Sequence, residues 1–168
     1  MSYEEHKRLS SEIRARVALL AVSDSRTPET DESSRIMRNI LGSKGHLITE
    51  QLLVKNDEEA ISKTIEDLIH RQDIDAIITI GGTGLSKRDI TTEVVSKFIE
   101  KRIEGFGELF RFLSYNQIGS GTIMSRALAG IVNRKIIMSI PGSPKGAELA
   151  AKELIAPELP HMIFEATK

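Results

Sequence analysis

No cysteine and no tryptophan occur in the 168 residues, and aromatic residues make up only 4% of them. Without cysteine there are no disulfides, no thiolate metal sites and no cysteine nucleophile. Scarce aromatics remove the platforms on which single-stranded nucleic acid stacks. Neither charge is in excess: the formal net charge is −1, so no global field draws the chain to nucleic acid or to an anionic membrane. No apolar run approaches the length of a membrane span, and Met1-Ser2-Tyr3-Glu4-Glu5-His6-Lys7-Arg8 offers no secretory apolar region. The cytoplasm is the expected compartment. The four histidines, His6, His46, His70 and His161, are scattered, with no pair at ligand spacing on one helix. Any metal is therefore expected to be a hard cation held by oxygen, with Mg²⁺ carried by a phosphate substrate the natural candidate.

What is present suits a single folded unit. An apolar content of 40% and a charged fraction of 28% are ordinary for a globular chain. At this length about 68–70% of the unfolded surface is buried on folding. Residues 1–14 are polar and read as an N-terminal arm, mobile or docked on a neighbouring subunit. Residues 15–168 read as one domain. Its strands are expected at Arg16–Val22, His46–Val54, Ala76–Ile80 and Lys135–Ile140, with helices between them and a helical stretch over Ala127–Val132. His46–Val54 is less uniformly apolar and belongs nearer an edge. Gly105 and Gly107 read as a break before a helix, Gly119-Ser120-Gly121 as a flexible link, and Pro157 as a helix stop. The alternation predicts a three-layer α/β/α sandwich around a mostly parallel sheet.

The most informative stretch runs from Ala76 to Asp89. An apolar strand enters Gly81-Gly82-Thr83-Gly84, followed by Lys87, Arg88 and Asp89. Glycines at that point leave backbone N–H groups unshielded, which suits close approach of phosphate. The two cations add positive charge, and Asp89 supplies a carboxylate able to hold a metal. The loop is neither a Walker A sequence nor the dinucleotide fingerprint, so taken alone it reads first as a tight turn. Two further strand ends carry small polar residues: Ser23-Asp24, and Pro141-Gly142-Ser143-Pro144 with Lys145 beside it. Carboxyl ends of parallel strands lie on one edge, so one cleft can collect all three junctions. Asp57 has a simpler reading as the N-cap of a helix, and Thr92 as the cap of the next one. Glu104 stands at a glycine-rich turn, where an acid either reaches a polar ligand or is solvated. The spacing leads to a nucleotide or phospho-ligand cleft.

Ser23-Asp24, Gly81-Gly82-Thr83-Gly84 with Arg88-Asp89, Ser125-Arg126 and Pro141-Gly142-Ser143-Pro144 stand in that order along the chain. Together they resemble the MoaB and MogA proteins of molybdenum cofactor biosynthesis, with MoaB the more similar branch, over about residues 16–160. The resemblance implies a Mg²⁺-dependent transfer of an adenylyl group from ATP to molybdopterin, releasing pyrophosphate. It implies Asp57 and Asp89 as catalytic and metal-binding residues. Ser23, Asp24, Gly81, Gly82, Thr83, Gly84, Pro141, Gly142 and Ser143 would then hold nucleotide phosphates, and Glu104, Ser125 and Arg126 would face the pterin. It also implies a homotrimer or homohexamer and hand-over of product to a metal-insertion enzyme. An alternative within the same resemblance is a molybdopterin carrier or regulator without turnover. Where the family pattern has a proline after Ile90-Thr91, Thr92 stands here.

Overall fold

The structure is a computed structural model describing residues 1–168. Six strands form one sheet: β1 (Arg16–Val22), β2 (Leu47–Val54), β3 (Ala76–Ile80), β4 (Lys101–Arg102), β5 (Leu128–Val132) and β6 (Lys135–Ile140). Their order is β2-β1-β3-β6-β5-β4. The first four in that order run parallel, while β5 and β4 are antiparallel additions. β2 does stand at an edge.

Helices cover both faces of the sheet: α1 (Tyr3–Ser10), α2 (Glu32–Ser43), α3 (Glu58–Ile69), α4 (Thr91–Phe98), α5 (Glu104–Ile118), α6 (Pro144–Leu149) and α7 (Ala156–Ala166). Side chains alternate across a strand, and the two cores follow from that period. Val17 and Leu19 of β1, with Ile78 and Ile80 of β3, pack under Met37 and Leu41 of α2, Phe106 and Phe110 of α5, and Leu159 and Ile163 of α7. Ala18, Leu20 and Val22 face the opposite way, with Ile77, against Ile61, Ile65 and Leu68 of α3 and Val94 and Val95 of α4. This is the three-layer α/β/α arrangement.

Several local expectations are corrected. Residues 127–132 hold β5, not a helix, because Asn133 and Arg134 adopt φ of 46° and 62° and turn the chain straight into β6. Two left-handed residues make the hairpin turn whose twist matches paired strands, a job usually given to glycine. Contacts hold them there: the Asn133 N–H donates to Glu100 Oε1 at 2.7 Å, and the Asn133 side chain donates to the Ile69 carbonyl at 3.3 Å. Gly105 and Gly107 lie inside the first turns of α5. A Cβ on Gly107 would sit 2.5 Å from the Ala127 carbonyl oxygen, so this glycine serves close packing and does not break the helix. Gly119–Met124 is a 3₁₀ segment. Thr92 lies within the first turn of α4 and caps nothing; Ile90 occupies the N-cap position. Pro157 stops no helix, since a π segment over Ala150–Ile155 carries the chain into α7, where proline is tolerated in the first turn.

Residues 1–14 include α1, opened by a capping box in which Ser2 Oγ accepts from the Glu5 N–H at 3.2 Å and Glu5 Oε2 accepts from the Ser2 N–H at 2.8 Å. This helix lies against α7 of its own chain, with the Tyr3 hydroxyl donating to Glu158 at 2.8 Å. His46 is buried, and its Nδ1 accepts from the Ala15 N–H at 2.9 Å. Burial, then the Arg14 charge, push its pKa down, which keeps the ring neutral as that acceptor role requires.

Asp75 ties the amino ends of the parallel strands together. It accepts from the Arg16 N–H and guanidinium at 2.8, 3.1 and 2.8 Å, while its own N–H donates to the Arg16 carbonyl at 2.8 Å. Burial pushes the carboxyl up, but the bonds and charge of Arg16 outweigh it and hold the pKa below 3.8. A carboxylate favoured in the folded state contributes stability above its unfolded pKa that is lost as pH falls through the folded value. Asp75→Asn should therefore cost about 1–3 kcal/mol at pH 7 in urea unfolding. That difference from the parent chain should shrink below about pH 4. An equal cost at pH 7 and pH 3 would show that the charge does not matter.

Candidate functional site

At the carboxyl ends of β1, β3 and β6 lies a cleft of about 540 Å³. Ser23, Asp24, Gly81, Gly82, Thr83, Gly84, Asp89 and Gly142 line it, so the three junctions do meet. The register explains why: Ala21 is opposite Ile80, and Ile80 is opposite Ile140, so the strands end level.

The glycines are required by contact. Gly81 has φ +102°, and a Cβ there would lie 2.5 Å from the Val22 carbonyl oxygen. Gly82 has φ +68°, and a Cβ would meet Thr91 Oγ1 at 2.1 Å and Asn56 Oδ1 at 2.7 Å. Both oxygens are buried and have no hydrogen-bond partner. The loop is stapled at its ends, with the Gly81 N–H donating to the Ile140 carbonyl at 3.0 Å and the Thr91 N–H to the Gly82 carbonyl at 2.9 Å.

Arg126 braces the glycine loop from outside the cleft lining. Its Nε donates to the Thr83 carbonyl at 3.0 Å, and one terminal nitrogen donates to the carbonyls of Gly84 at 2.6 Å and Asp89 at 3.2 Å. It also pairs with Glu93, whose carboxyl it holds below the usual range. Arg126 thus acts as a strut for the glycine loop. It also lines, with Ser125 and Glu104, a neighbouring cavity of about 300 Å³. The Ser125 hydroxyl is buried there without a partner.

Charge in the cleft is arranged differently from what spacing suggested. Arg88 is committed to Asp24 at 2.6 Å, and Lys87 does not line the cleft. The Asn56 N–H, donating to Asp24 Oδ1 at 3.0 Å, and then Arg88 hold the Asp24 carboxyl below the usual range. Arg26 is the lining cation that forms no ion pair. Asp89 accepts from the Ser86 hydroxyl at 2.6 Å. Asp57 is outside the lining; its Oδ2 caps α3 by accepting from the Ala60 N–H at 2.8 Å, and the residue before it, Asn56, lines the cleft instead. Ser23 Oγ accepts from the N–H groups of Ser25 and Arg26 at 3.3 and 3.0 Å. Pro141 and Ser143 do not line the cleft, and Ser143 caps α6 through the Gly146 N–H at 3.1 Å. Lys145 borders a separate cavity. Spacing had passed over Asn56, Arg26 and Ser86, although Asn56 and Arg26 lie just beyond strand ends.

A polar cleft floored by bare backbone, with two carboxylates and one unpaired guanidinium, suits a phosphorylated ligand with a hard cation. Known proteins narrow this. Residues 18–161 match a family described as a probable molybdopterin binding domain. The chain is 44% identical over 167 residues, 98% of each chain, to molybdenum cofactor biosynthesis protein B of Bacillus anthracis. A crystal structure of a molybdenum cofactor biosynthesis protein B superposes with a TM-score of 0.88 at 43% identity, covering 92% of this chain and 96% of that one. The tungsten cofactor synthesizing protein MoaB from Pyrococcus furiosus superposes with a TM-score of 0.82 at 29% identity, covering 92% and 98%. With its glycine loop, strand-end cleft and full-length likeness, this chain belongs to the MoaB/MogA family of molybdenum cofactor biosynthesis proteins.

Proposed function

We propose that the protein adenylylates molybdopterin with ATP, releasing pyrophosphate. One observation carries the reading: the glycine loop lines the cleft of about 540 Å³, and Arg126, which donates to that loop's carbonyls, lines the neighbouring cavity of about 300 Å³. ATP occupies the larger cavity, with its phosphates on the N–H groups of Gly82 to Gly84 and beside Arg26. The pterin occupies the smaller, among Glu104, Ser125 and Arg126. An oxygen of the terminal phosphate of molybdopterin attacks the α-phosphorus of ATP, and the bond from that phosphorus to the pyrophosphate oxygen breaks. No protein nucleophile takes part, in keeping with the absence of cysteine and of any cleft histidine.

The cleft's donors are all oxygen or cationic nitrogen, and Asn56 Oδ1 is a buried acceptor without a partner, so the set fits a hard cation. Asp89, with Asp57 from the adjoining helix start, would hold Mg²⁺ together with substrate phosphates. Bound there, the ion offsets the charge of two approaching polyanions. Arg26 holds phosphate, and Arg126 keeps the loop amides aimed at it. Asp57 as a cap outside the lining favours the second reading, in which molybdopterin is bound and carried without turnover.

The chain is proposed to assemble as a trimer or hexamer in the cytoplasm and to pass its product to a metal-inserting enzyme. No helix is long and apolar enough to cross a membrane. Leu109, Phe112, Tyr115 and Ile118 recur every third residue on α5, and all four are exposed. Exposed apolar side chains in that number are suited to a second copy of the chain.

Pyrophosphate release from molybdopterin, ATP and Mg²⁺ should fall roughly 100-fold or more in Asp89→Ala and Asp57→Ala. Tight molybdopterin binding with no release in the parent chain would establish the carrier. Arg26→Ala should raise KM for ATP about tenfold, with a smaller effect on kcat, since it removes a charged hydrogen bond to phosphate. An unchanged KM would take Arg26 out of the site. Light scattering should report a trimer or hexamer that dissociates when Leu109 and Phe112 are both replaced by glutamate. A monomeric parent chain at micromolar concentration would contradict the assembly.

A further inference from the structure

Helix α1 meets α7 along a seam that contains none of the cleft residues. His6 Nδ1 lies 2.5 Å from Glu165 Oε1, and His161 Nε2 lies 3.8 Å from the same oxygen. One ligand atom from each of these three residues falls within 4.8 Å of the others. Zn²⁺ bonds to nitrogen and oxygen of 2.0–2.2 Å place neighbouring ligand atoms about 3.3 Å apart in a tetrahedron. The two separations to Glu165 bracket that spacing and the third is no more than 4.8 Å, so shifts of about 1.5 Å or less would admit an ion.

The imidazoles are held for the task. His161 Nδ1 lies 3.2 Å from Glu158 Oε2, which sets the tautomer that leaves Nε2 as the lone-pair nitrogen facing the cluster. A carboxylate behind a ligating histidine is the usual outer partner in zinc sites. Glu158 is itself anchored by the Tyr3 hydroxyl at 2.8 Å and by Lys7. Tyr3 packs edge-on to His161 at 5.4 Å and Phe164 edge-on to His6 at 5.8 Å, so neither ring turns freely. Both histidine side chains are only 18% exposed, whereas Glu165 at 40% faces water and leaves a fourth position for it.

We propose that His6, His161 and Glu165 form a Zn²⁺ site that clips α1 to α7, with Glu158 orienting His161. Two imidazoles and one carboxylate are borderline donors that suit zinc and not magnesium. The competing occupant is a proton, which would leave His6 in an ion pair with Glu165. Lys168 donates to Glu165 Oε1 at 2.7 Å and must leave that oxygen; its side chain is 45% exposed and can return to water.

The test uses the untagged full chain at pH 7.5 with excess Mg²⁺ to fill hard carboxylate sites. Calorimetric titration with Zn²⁺ should give one ion per chain in the micromolar range or tighter. At about 100 times Kd the melting temperature should rise by roughly 5 °C. Co²⁺ in its place should give the visible absorption of a four-coordinate ion. His6→Gln and His161→Gln should each weaken binding at least about tenfold and remove the thermal shift. Glu158→Gln should lower affinity about 10–100-fold and still show the Co²⁺ spectrum. The conservative exchange Glu165→Gln, at the exposed corner, gives an independent ligand variant if a histidine variant is poorly folded. No Zn²⁺ binding at 100 µM, or equal binding by the parent chain and by these variants, would overturn the proposal.

Discussion

The cleft depends on the parallel register of β3 between β1 and β6. With Ala21, Ile80 and Ile140 side by side, three chains leave the sheet at one level and turn in the same small volume. Their backbones touch: a Cβ on Gly142 would lie 3.1 Å from the Gly81 Cα, and one on Gly81 would strike the Val22 carbonyl. Space, more than flexibility, keeps side chains out of these positions. The amides that stay open toward the cleft are a consequence of that crowding, since backbone that packs against backbone has no side chain to shield it.

A loop so bare of side chains has little to hold it, and Arg126 supplies what is missing. One guanidinium collects carbonyls from Thr83, Gly84 and Asp89, the two ends of the loop, and is balanced by Glu93 of α4. A planar fork with five donors suits this task where a lysine would not. Because Arg126 begins the approach to β5, the hairpin of β5 and β6 is tied to the phosphate loop. The same residue borders the second cavity, so the geometry of the two cavities is coupled through one side chain.

The parallel core was legible because its signal is local. Ile77, Ile78 and Ile80 of β3 and Ile136, Ile137, Met138 and Ile140 of β6 are buried on both faces, and continuous apolar runs announce such strands. Residues 127–132 were misread because a short apolar run fits a buried helix as well as a strand, and the turn that follows lacks glycine. There the left-handed Asn133 and Arg134 are stabilised by Glu100, Ile69 and Thr167, none of them near in sequence. Residues 1–14 were read as a mobile or intermolecular arm because the partners of α1 lie some 150 residues away. His6 and His161, scattered in the chain, stand with ring centroids 5.7 Å apart in the fold.

The sequence by itself determined the α/β class, the strand that feeds the glycine loop and the three junctions from which a phosphate cleft is built. These rest on short-range chemistry: apolar runs, absent Cβ atoms and caps such as Asp57 and Ser143. Tertiary structure alone decided how charge is shared within that cleft. Spacing offered Lys87 and Arg88 as its cations, yet Arg88 spends its charge on Asp24 and Arg26 is the one left unpaired. Tertiary structure also decided that Asn56 reaches the loop while the side chain of Asp57 turns to its own helix. A residue type carries its charge wherever it stands, but its partner is chosen by distance, and distance between segments is a property of the fold.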